Sequence, residues 1–225
     1  MMANPDHVGT LRRGVDAWNA WRKQRAVEPD LRGADLHMAD LRRADLSGAW
    51  LDRADLRGAY LTGADLSDAH LFGAFLNGAD LRNVGLRRAD LSRASLGQAN
   101  LSGANLSGAH LEYASLVDAD ITNADLTGCH IYGVSAWGVK LNNETKQENL
   151  IITKSKRFVP SAETQIVLDD IEVAQLIYLI LDNKKIRGVI DTMTSKLVLT
   201  LGRFDDLYTF SLRCMKTSGN EACFQ

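Results

Sequence analysis

A five-residue period runs through the middle of the chain and constrains the fold more than any other feature. Over residues 29–143, a Leu or Ile recurs at nearly every fifth position, from Leu31 to Ile131. A small residue, usually Ala, lies two positions before it, and Asp or Asn often separates the two. A period of five matches neither an α-helix nor a β-strand. The pattern therefore predicts a turn that is repeated in every unit.

Both apolar positions of the unit must face inward, and this requirement predicts the shape of the coil. If each unit forms one side of a square, four units complete a coil and residues twenty apart lie on top of one another. The core is then a stack of Leu layers with Ala at the corners, where a larger residue would not fit. Backbone groups pair with the next coil at about 4.8 Å. Gly, which is frequent two positions after the Leu, gives the backbone the freedom to turn.

Units such as Ala34-Asp35-Leu36 and Ala124-Asp125-Leu126 resemble the repeats of the pentapeptide-repeat family. The resemblance implies an all-β solenoid, a right-handed quadrilateral β-helix, over residues 29–143. At twenty residues per coil this segment makes about six coils. The register weakens at Val84-Gly85-Leu86, and the units after Ile131 lose their Ala. We therefore expect the last coil to be imperfect.

The two flanks of the repeats have different patterns. Residues 1–28 contain one amphipathic segment, residues 8–25, in which Val8, Leu11 and Trp18 follow helical spacing. We predict one helix that covers the open end of the first coil, because terminal repeats need a cap. The tryptophans of this segment could instead mark a surface that binds a partner.

The C-terminal flank, residues 144–225, is predicted to begin with a linker and to form a small α/β segment. A strand is expected at residues 150–153, a helix at about 169–195 with Asp169 or Asp170 as its N-cap, and a second strand at 196–201. This segment resembles the region that joins pentapeptide repeats to a TIR-like domain in bacterial multidomain proteins. The residues after it are too few for the rest of that domain, so the resemblance implies a truncated start.

A strand at residues 196–201 cannot remain alone in water, because both of its edges carry unpaired backbone groups. Within the chain its only candidate partner is the strand at 150–153, and with the predicted helix the two strands make a marginal core. We therefore predict a homodimer formed through the C-terminal segment, and the alternative is a monomer in which this strand is disordered. The candidate contact residues of the homodimer are Ile177, Leu181, Leu197 and Leu199.

One side of the predicted coil carries aromatic and basic side chains in columns of residues twenty apart. Such side chains are typical of protein interfaces, although aromatic ladders also stabilise solenoids by stacking. We take this side as the candidate face for an unknown protein partner. Its residues are Trp50, Arg53, His70, Phe72, Arg93, His110, Tyr113, His130 and Tyr132.

The histidines of this face raise the question of chemistry. His110 and His130 could share a metal, and His70 could form an acid–base pair with Asp90. We expect neither, because the column is convex and open to water. No nucleophile elbow, phosphate loop, zinc ligand set or dinucleotide fingerprint is present in the sequence. The sequence thus predicts a chain that is not an enzyme and has no cofactor or metal.

The net charge of the repeats helps to choose between the two remaining functions, a protein-binding scaffold and a mimic of duplex DNA. Some pentapeptide-repeat proteins protect DNA gyrase by resembling a DNA duplex, and this is the alternative to a scaffold that binds a protein. Residues 29–143 hold 14 acidic and 10 basic residues, whereas B-DNA carries about 16 negative charges over the roughly 28 Å of six coils. The arginines at positions 42, 43, 82, 87 and 88 lie among aspartates and are expected to form solvated ion pairs. We therefore favour the scaffold and do not expect direct binding of nucleic acid.

The expected compartment follows from the cysteines and from hydropathy. Three cysteines in 225 residues do not make a disulfide framework. The longest apolar run, residues 174–181, is too short to span a bilayer. We expect a cytoplasmic protein that does not enter the membrane.

Overall fold

The computed structural model describes residues 3–25, 27–153 and 166–182. In chain order it contains helices α1 (Pro5–Arg12) and α2 (Val15–Gln24), the repeat segment, strands β1 (Leu150–Ile151) and β2 (Val167–Leu168), and helix α3 (Ile171–Asp182). The repeats form a parallel solenoid whose two ends are covered by helices.

The coils are joined by single parallel β-bridges between residues twenty apart, from Asp30 with Trp50 onwards. In a typical unit three backbone amides donate to neighbouring coils, and two of them belong to the inward residue and the residue before it. At the centre, Leu91 N donates to His110 O at 2.8 Å and Asp90 N to the Ala69 carbonyl at 2.9 Å. These bridges confirm the predicted twenty-residue coil.

The interior is a stack of Leu and Ala side chains. The inward Leu or Ile is buried in the units from Leu31 to Ile131, and most of the Ala residues are buried beside it. Cys129 occupies an Ala position, and its Sγ donates to the Leu106 carbonyl at 3.0 Å. The regular pattern of inward leucines breaks at Leu141, which is 39% exposed. The prediction of an imperfect last coil is confirmed at this residue.

Each unit closes a tight turn at its corner. Ala94 N donates to the Leu91 carbonyl at 2.9 Å. Arg93, the second of the two residues between them, has a φ of 60°. A positive φ at the second central residue is typical of a type II turn and favours Gly. Several corners nevertheless carry large side chains, including Arg88 and Tyr113 on either side of Arg93 along the chain.

The N-terminal cap consists of two helices, so the prediction of one helix over residues 8–25 is wrong. Gly14, with a φ of 105°, separates α1 from α2. Helical spacing continues across this break, which is why the pattern did not reveal it. Trp18 on α2 is fully buried against the first coils, and its Nε1 donates to the Asp45 carbonyl at 2.7 Å. The helices thus cap the coil through this tryptophan.

The stacked coils continue beyond residue 143, and the predicted linker at 144–149 is wrong. Lys146 pairs with Asp125 and Ile151 with His130, each twenty-one residues on, so one residue is inserted in this coil. Thr145 takes the inward place of an apolar residue because its Oγ1 donates to the Ile121 carbonyl at 3.1 Å. This polar bond, together with backbone bonds such as Lys146 N to the Ala124 carbonyl at 2.9 Å, extends the solenoid into a segment without the repeat pattern.

The C-terminal end is closed by the β1–β2 hairpin pair and by α3. β1 pairs in antiparallel fashion with β2, with Leu150 opposite Leu168. The strand predicted at 196–201, for which β1 was the candidate partner within the chain, lies outside the described residues. Helix α3 begins at Ile171, and Asp170 caps it by accepting from the amides of residues 172 and 173 at 2.8 and 2.9 Å. The cap prediction is confirmed for Asp170, whereas the predicted helix beyond residue 182 is outside the described residues.

Candidate functional site

The candidate site lies on one side of the solenoid, which we call the histidine face. It consists of the residues directly before and after the inward residues Leu51, Leu71, Leu91, Leu111 and Ile131, together with the corner residue that follows them. The two residues that flank an inward leucine point outward on the same side, since side chains alternate along an extended chain. The predicted partner residues all lie on this face. Arg53 and Arg93 are exposed, and the other seven are half-buried.

The rings that precede the inward residues stack in pairs. Trp50 and His70 are parallel, with ring centroids 4.0 Å apart and an interplanar angle of 8°. His110 and His130 stack at 4.4 Å and 17°. Asp90 lies between the two pairs and is only 8% exposed. The column predicted from the twenty-residue period is therefore present as a real stack.

A second row of contacts runs beside the histidines and centres on Arg93. Its guanidinium carbon lies 5.8 Å from the Phe72 ring centroid and 5.7 Å from that of Tyr113. Tyr113 meets Tyr132 edge to face at 5.5 Å, and Tyr132 meets Tyr178 of α3 in the same way at 5.0 Å. Cation–π contacts at exposed sites contribute about 0.5–1 kcal/mol each, so the two contacts favour this arginine conformation. The row therefore presents a cation flanked by aromatic rings.

Glu112 is part of this face, and the sequence analysis missed it. It follows Leu111, and its side chain is only 1% exposed. Ser92 Oγ donates to Glu112 Oε2 at 3.2 Å, and His110 Nδ1 lies 3.3 Å from Oε1. The missed signal was the two-residue spacing of His110 and Glu112 around an inward leucine, which places both side chains on one side.

This arrangement reverses the charge order of other units. In four units Asp precedes the inward leucine and Arg follows it, and the two side chains form a bidentate ion pair. These pairs are Asp30–Arg32, Asp40–Arg42, Asp55–Arg57 and Asp80–Arg82. The arginine lowers the pKa of its aspartate, to about 2 for Asp40 and Asp55. A further pair joins Arg88 to Asp68, so the predicted ion pairs are confirmed for arginines 42, 82 and 88.

The acidic and imidazole groups of the histidine face affect one another. Burial opposes the ionisation of Glu112, but its hydrogen bond with His110 and the nearby His130 leave its pKa below the usual value. Burial and the proximity of His110 lower the pKa of His130, and Glu112 only partly offsets them. His130 is therefore held neutral next to an ionised carboxylate at pH 7. Its Nδ1 is buried and has no hydrogen-bond partner among the described residues.

Other exposed aromatic and apolar residues lie outside the predicted face. Tyr60 and Phe75 are on other sides of the solenoid, and Trp137, 59% exposed, lies at its C-terminal end. A depression of about 360 Å³ opens beside Trp137 and Leu176 of α3. In the described coils, buried Leu and Ala side chains fill the interior. Cys129 is buried, and this burial raises the pKa of its thiol to about 12, so it is not a nucleophile at neutral pH.

Two further expectations have partial answers. Among the described helices, none has the length and apolar character needed to cross a membrane. Of the candidate dimer residues, Ile177 packs against the core of its own chain. The side chain of Leu181 and residues Leu197 and Leu199 are outside what the structure describes.

Comparison with known proteins agrees with the repeat. The family model described as pentapeptide repeats matches eight copies, at residues 30–48, 49–88 and 89–128. Among solved structures, the pentapeptide-repeat protein Rfr23 from the cyanobacterium Cyanothece 51142 is 36% identical over 38% of this chain and 62% of its own, with a TM-score of 0.27. The pentapeptide-repeat protein alr5209 from Nostoc PCC 7120 is 31% identical over 49% of this chain and 83% of its own, with a TM-score of 0.23.

QnrB1, a plasmid-mediated fluoroquinolone resistance protein, is 23% identical over 46% of this chain and 79% of its own, with a TM-score of 0.21. The curated proteins contain no match to the chain. The fold defines a parallel solenoid built from five-residue units. Because the family model of the five-residue repeat matches this solenoid over residues 30–48, 49–88 and 89–128, the chain belongs to the pentapeptide-repeat family.

Proposed function

We propose that this chain is a non-enzymatic scaffold that binds a protein partner through its histidine face. The observation that carries the proposal is the row in which Arg93 lies between the rings of Phe72 and Tyr113. Arginine and aromatic residues supply most of the energy in protein interfaces. A guanidinium that is already held between two rings loses little conformational entropy when a partner binds.

The support that the scaffold gives to this face is part of the proposal. We take the solenoid to be a right-handed quadrilateral β-helix of about six coils, as the family resemblance implies. Bonds between coils, such as Arg93 N to the Glu112 carbonyl at 2.8 Å, fix the corners that carry the partner residues. The face would then bind as a preformed surface, without the cost of ordering a loop.

The alternative function, mimicry of duplex DNA, has less support. The aspartates at positions 30, 40, 55, 68 and 80 each lie within 2.7 Å of an arginine. Such pairs reduce the negative field that a DNA-binding enzyme would meet. A supercoiling assay with DNA gyrase tests this alternative, and protection of the enzyme by the full chain would favour it.

Capture of partners from a lysate of the native host, with the full chain and an Arg93→Gly variant, tests the scaffold function. Gly suits the positive φ of this corner, so the variant should fold. Arg88→Gly is the matched control, because Arg88 has a similar φ of 56° and pairs with Asp68 away from the histidine face. We expect a partner that Arg88→Gly retains and Arg93→Gly loses. Equal capture by both variants would contradict the proposal.

The oligomeric state and the compartment remain part of this proposal. A homodimer through the C-terminal segment predicts a concentration-dependent mass in sedimentation experiments on the full chain. Monomers at all concentrations would contradict it. A cytoplasmic location agrees with the free thiol of Cys129, and fractionation of host cells would test it.

A further inference from the structure

The ligand-type side chains of the histidine face come together at one point of the solenoid. One possible ligand atom from each of His110, Glu112 and His130 lies within 4.8 Å of the others. The twenty-residue coil places the two imidazoles on adjacent coils, and the flanking position after Leu111 brings the carboxylate beside them. Among the described residues, no other group of three such side chains meets in this way.

The separation of the first two ligands already suits a tetrahedral ion. His110 Nδ1 and Glu112 Oε1 are 3.3 Å apart. Zinc binds nitrogen and carboxylate oxygen at about 2.0–2.2 Å, so two ligands of a tetrahedral ion are about 3.3 Å apart. An ion that lies off the line between these two atoms can therefore be about 2 Å from each of them without a change in their separation.

The third ligand needs a movement of its side chain. The imidazole of His130 is stacked on that of His110, with an angle of 17° between the two rings. The nitrogen lone pairs of the two rings lie in nearly parallel planes, so they do not converge on one ion. One ring nitrogen of His130 lies within 4.8 Å of the other two ligand atoms, so the His130 side chain must move towards them to reach the separation of about 3.3 Å that a tetrahedral ion needs. The buried Nδ1 of His130 has no hydrogen-bond partner among the described residues, and coordination through this atom would supply one.

The environment suits metal binding better than the sequence predicted. The expectation of no metal rested on a column open to water, but Glu112 beside that column is 1% exposed, whereas the side chain of His110 is 35% exposed. The group of three is therefore enclosed on its carboxylate side. Ser92 donates to the second oxygen of Glu112 and so orients the carboxylate, as outer hydrogen bonds do in metal sites. The Nδ1 atom of His130 is buried as well.

We propose that His110, Glu112 and His130 bind a Zn²⁺ ion, with water as the fourth ligand. Two imidazoles and one carboxylate are a recognised zinc ligand set, whereas Mg²⁺ prefers six oxygens. The proposal is independent of the partner, because it requires only the side chains of one chain.

Isothermal titration calorimetry of the untagged full chain with ZnCl₂ tests the site. We expect one ion per chain, and tetrahedral Co²⁺ absorption when Co²⁺ replaces zinc. The variants His130→Ala and Glu112→Gln should weaken the affinity at least about 100-fold, because each removes a ligand. Glu112→Gln keeps the shape of the side chain and so serves if His130→Ala fails to fold.

The matched control is His70→Ala. His70 belongs to the same column and stacks on Trp50, outside the group of three ligands. This variant should bind zinc with the affinity of the unchanged protein. Absence of binding at micromolar zinc would overturn the proposal, and so would stoichiometric binding that survives in both His130→Ala and Glu112→Gln.

Discussion

The unit around Leu81 and the unit around Leu111 share a backbone and differ in what they display. Both leucines are fully buried, and the amide of each donates to the next coil at 2.7 Å. In the first unit Asp80 precedes the leucine and pairs with Arg82, whose side chain is 52% exposed. In the second, the carboxylate of Glu112 follows the leucine and is 1% exposed.

The difference shows that the repeat determines position and that the flanking pair determines chemistry. A carboxylate before the leucine meets the arginine of its own unit and remains in contact with water. A carboxylate after Leu111 lies between Ser92 of the previous coil and His110 of its own. Burial then strengthens its interactions with the imidazoles. One solenoid can thus carry a water-exposed ion pair beside Leu81 and a candidate metal site beside Leu111.

The largest expected effect concerns what the two units share. Leu81→Ala and Leu111→Ala should each destabilise the protein by about 2–5 kcal/mol, because each leaves a cavity in the stack. Thermal unfolding followed by circular dichroism measures both. The two losses should be similar, and a small loss at only one position would show that the core is not equivalent in the two units.

The next largest effect is the difference in stability lost when the carboxylate of Glu112 or that of Asp80 is removed. Glu112→Ala should cost about 1–3 kcal/mol, because it leaves buried polar groups such as the Ser92 hydroxyl without a partner. Asp80→Ala should cost less, since ion pairs in contact with water contribute little. Chemical unfolding of the two variants in metal-free buffer gives the comparison. A larger loss for Asp80→Ala would contradict the contrast between the units.

Much of the fold could be predicted because the inward positions depend on residue type alone. Leu and Ala recur with a period that admits one packing, so the coil and its bridges followed from the sequence. The break at Gly14 and the insertion near Thr145 did not, because the first leaves helical spacing intact and the second replaces packing by a hydrogen bond. Such local substitutions carry no periodic signal.

The candidate site was only partly predictable for a related reason. Columns of residues twenty apart identified His110 and His130, whose rings do stack. Glu112 belongs to the neighbouring column, and its burial depends on the surrounding side chains rather than on the period. Sequence analysis of a solenoid must therefore compare the two residues that flank each inward position, as well as those above and below.

The two units should also differ in how they make the folding stability depend on pH. Burial, with the proximity of His110, lowers the pKa of His130. As the pH falls below about 6.5, the unfolded chain takes up a proton at this position before the folded chain does, so stability decreases. In the other unit, Arg82 is the main cause that lowers the pKa of Asp80. Its contribution is present above about pH 3.9 and is lost only as the pH falls further.

Unfolding of the full chain, of His130→Asn and of Asp80→Asn between about pH 3 and 8 checks this difference. Stability of the unchanged protein should fall between pH 7 and 5, and the fall should be smaller in His130→Asn. Asp80→Asn should change the pH dependence only below about pH 4. The same slope for His130→Asn and the unchanged protein in the higher window would mean that His130 titrates normally in the folded chain.

The smallest expected effect comes from salt. Screening at about 1 M salt reduces interactions beyond roughly 3 Å when water surrounds the charges, and it affects buried pairs much less. Arg82→Gln should therefore lower the melting temperature slightly at low salt and not at high salt, because its guanidinium is half-exposed. Glu112→Gln should keep its effect at both salt concentrations, because its carboxylate is enclosed. If high salt removed the effect of both substitutions, water would reach Glu112 as freely as it reaches Asp80, and the enclosure on which the proposed zinc site depends would be absent.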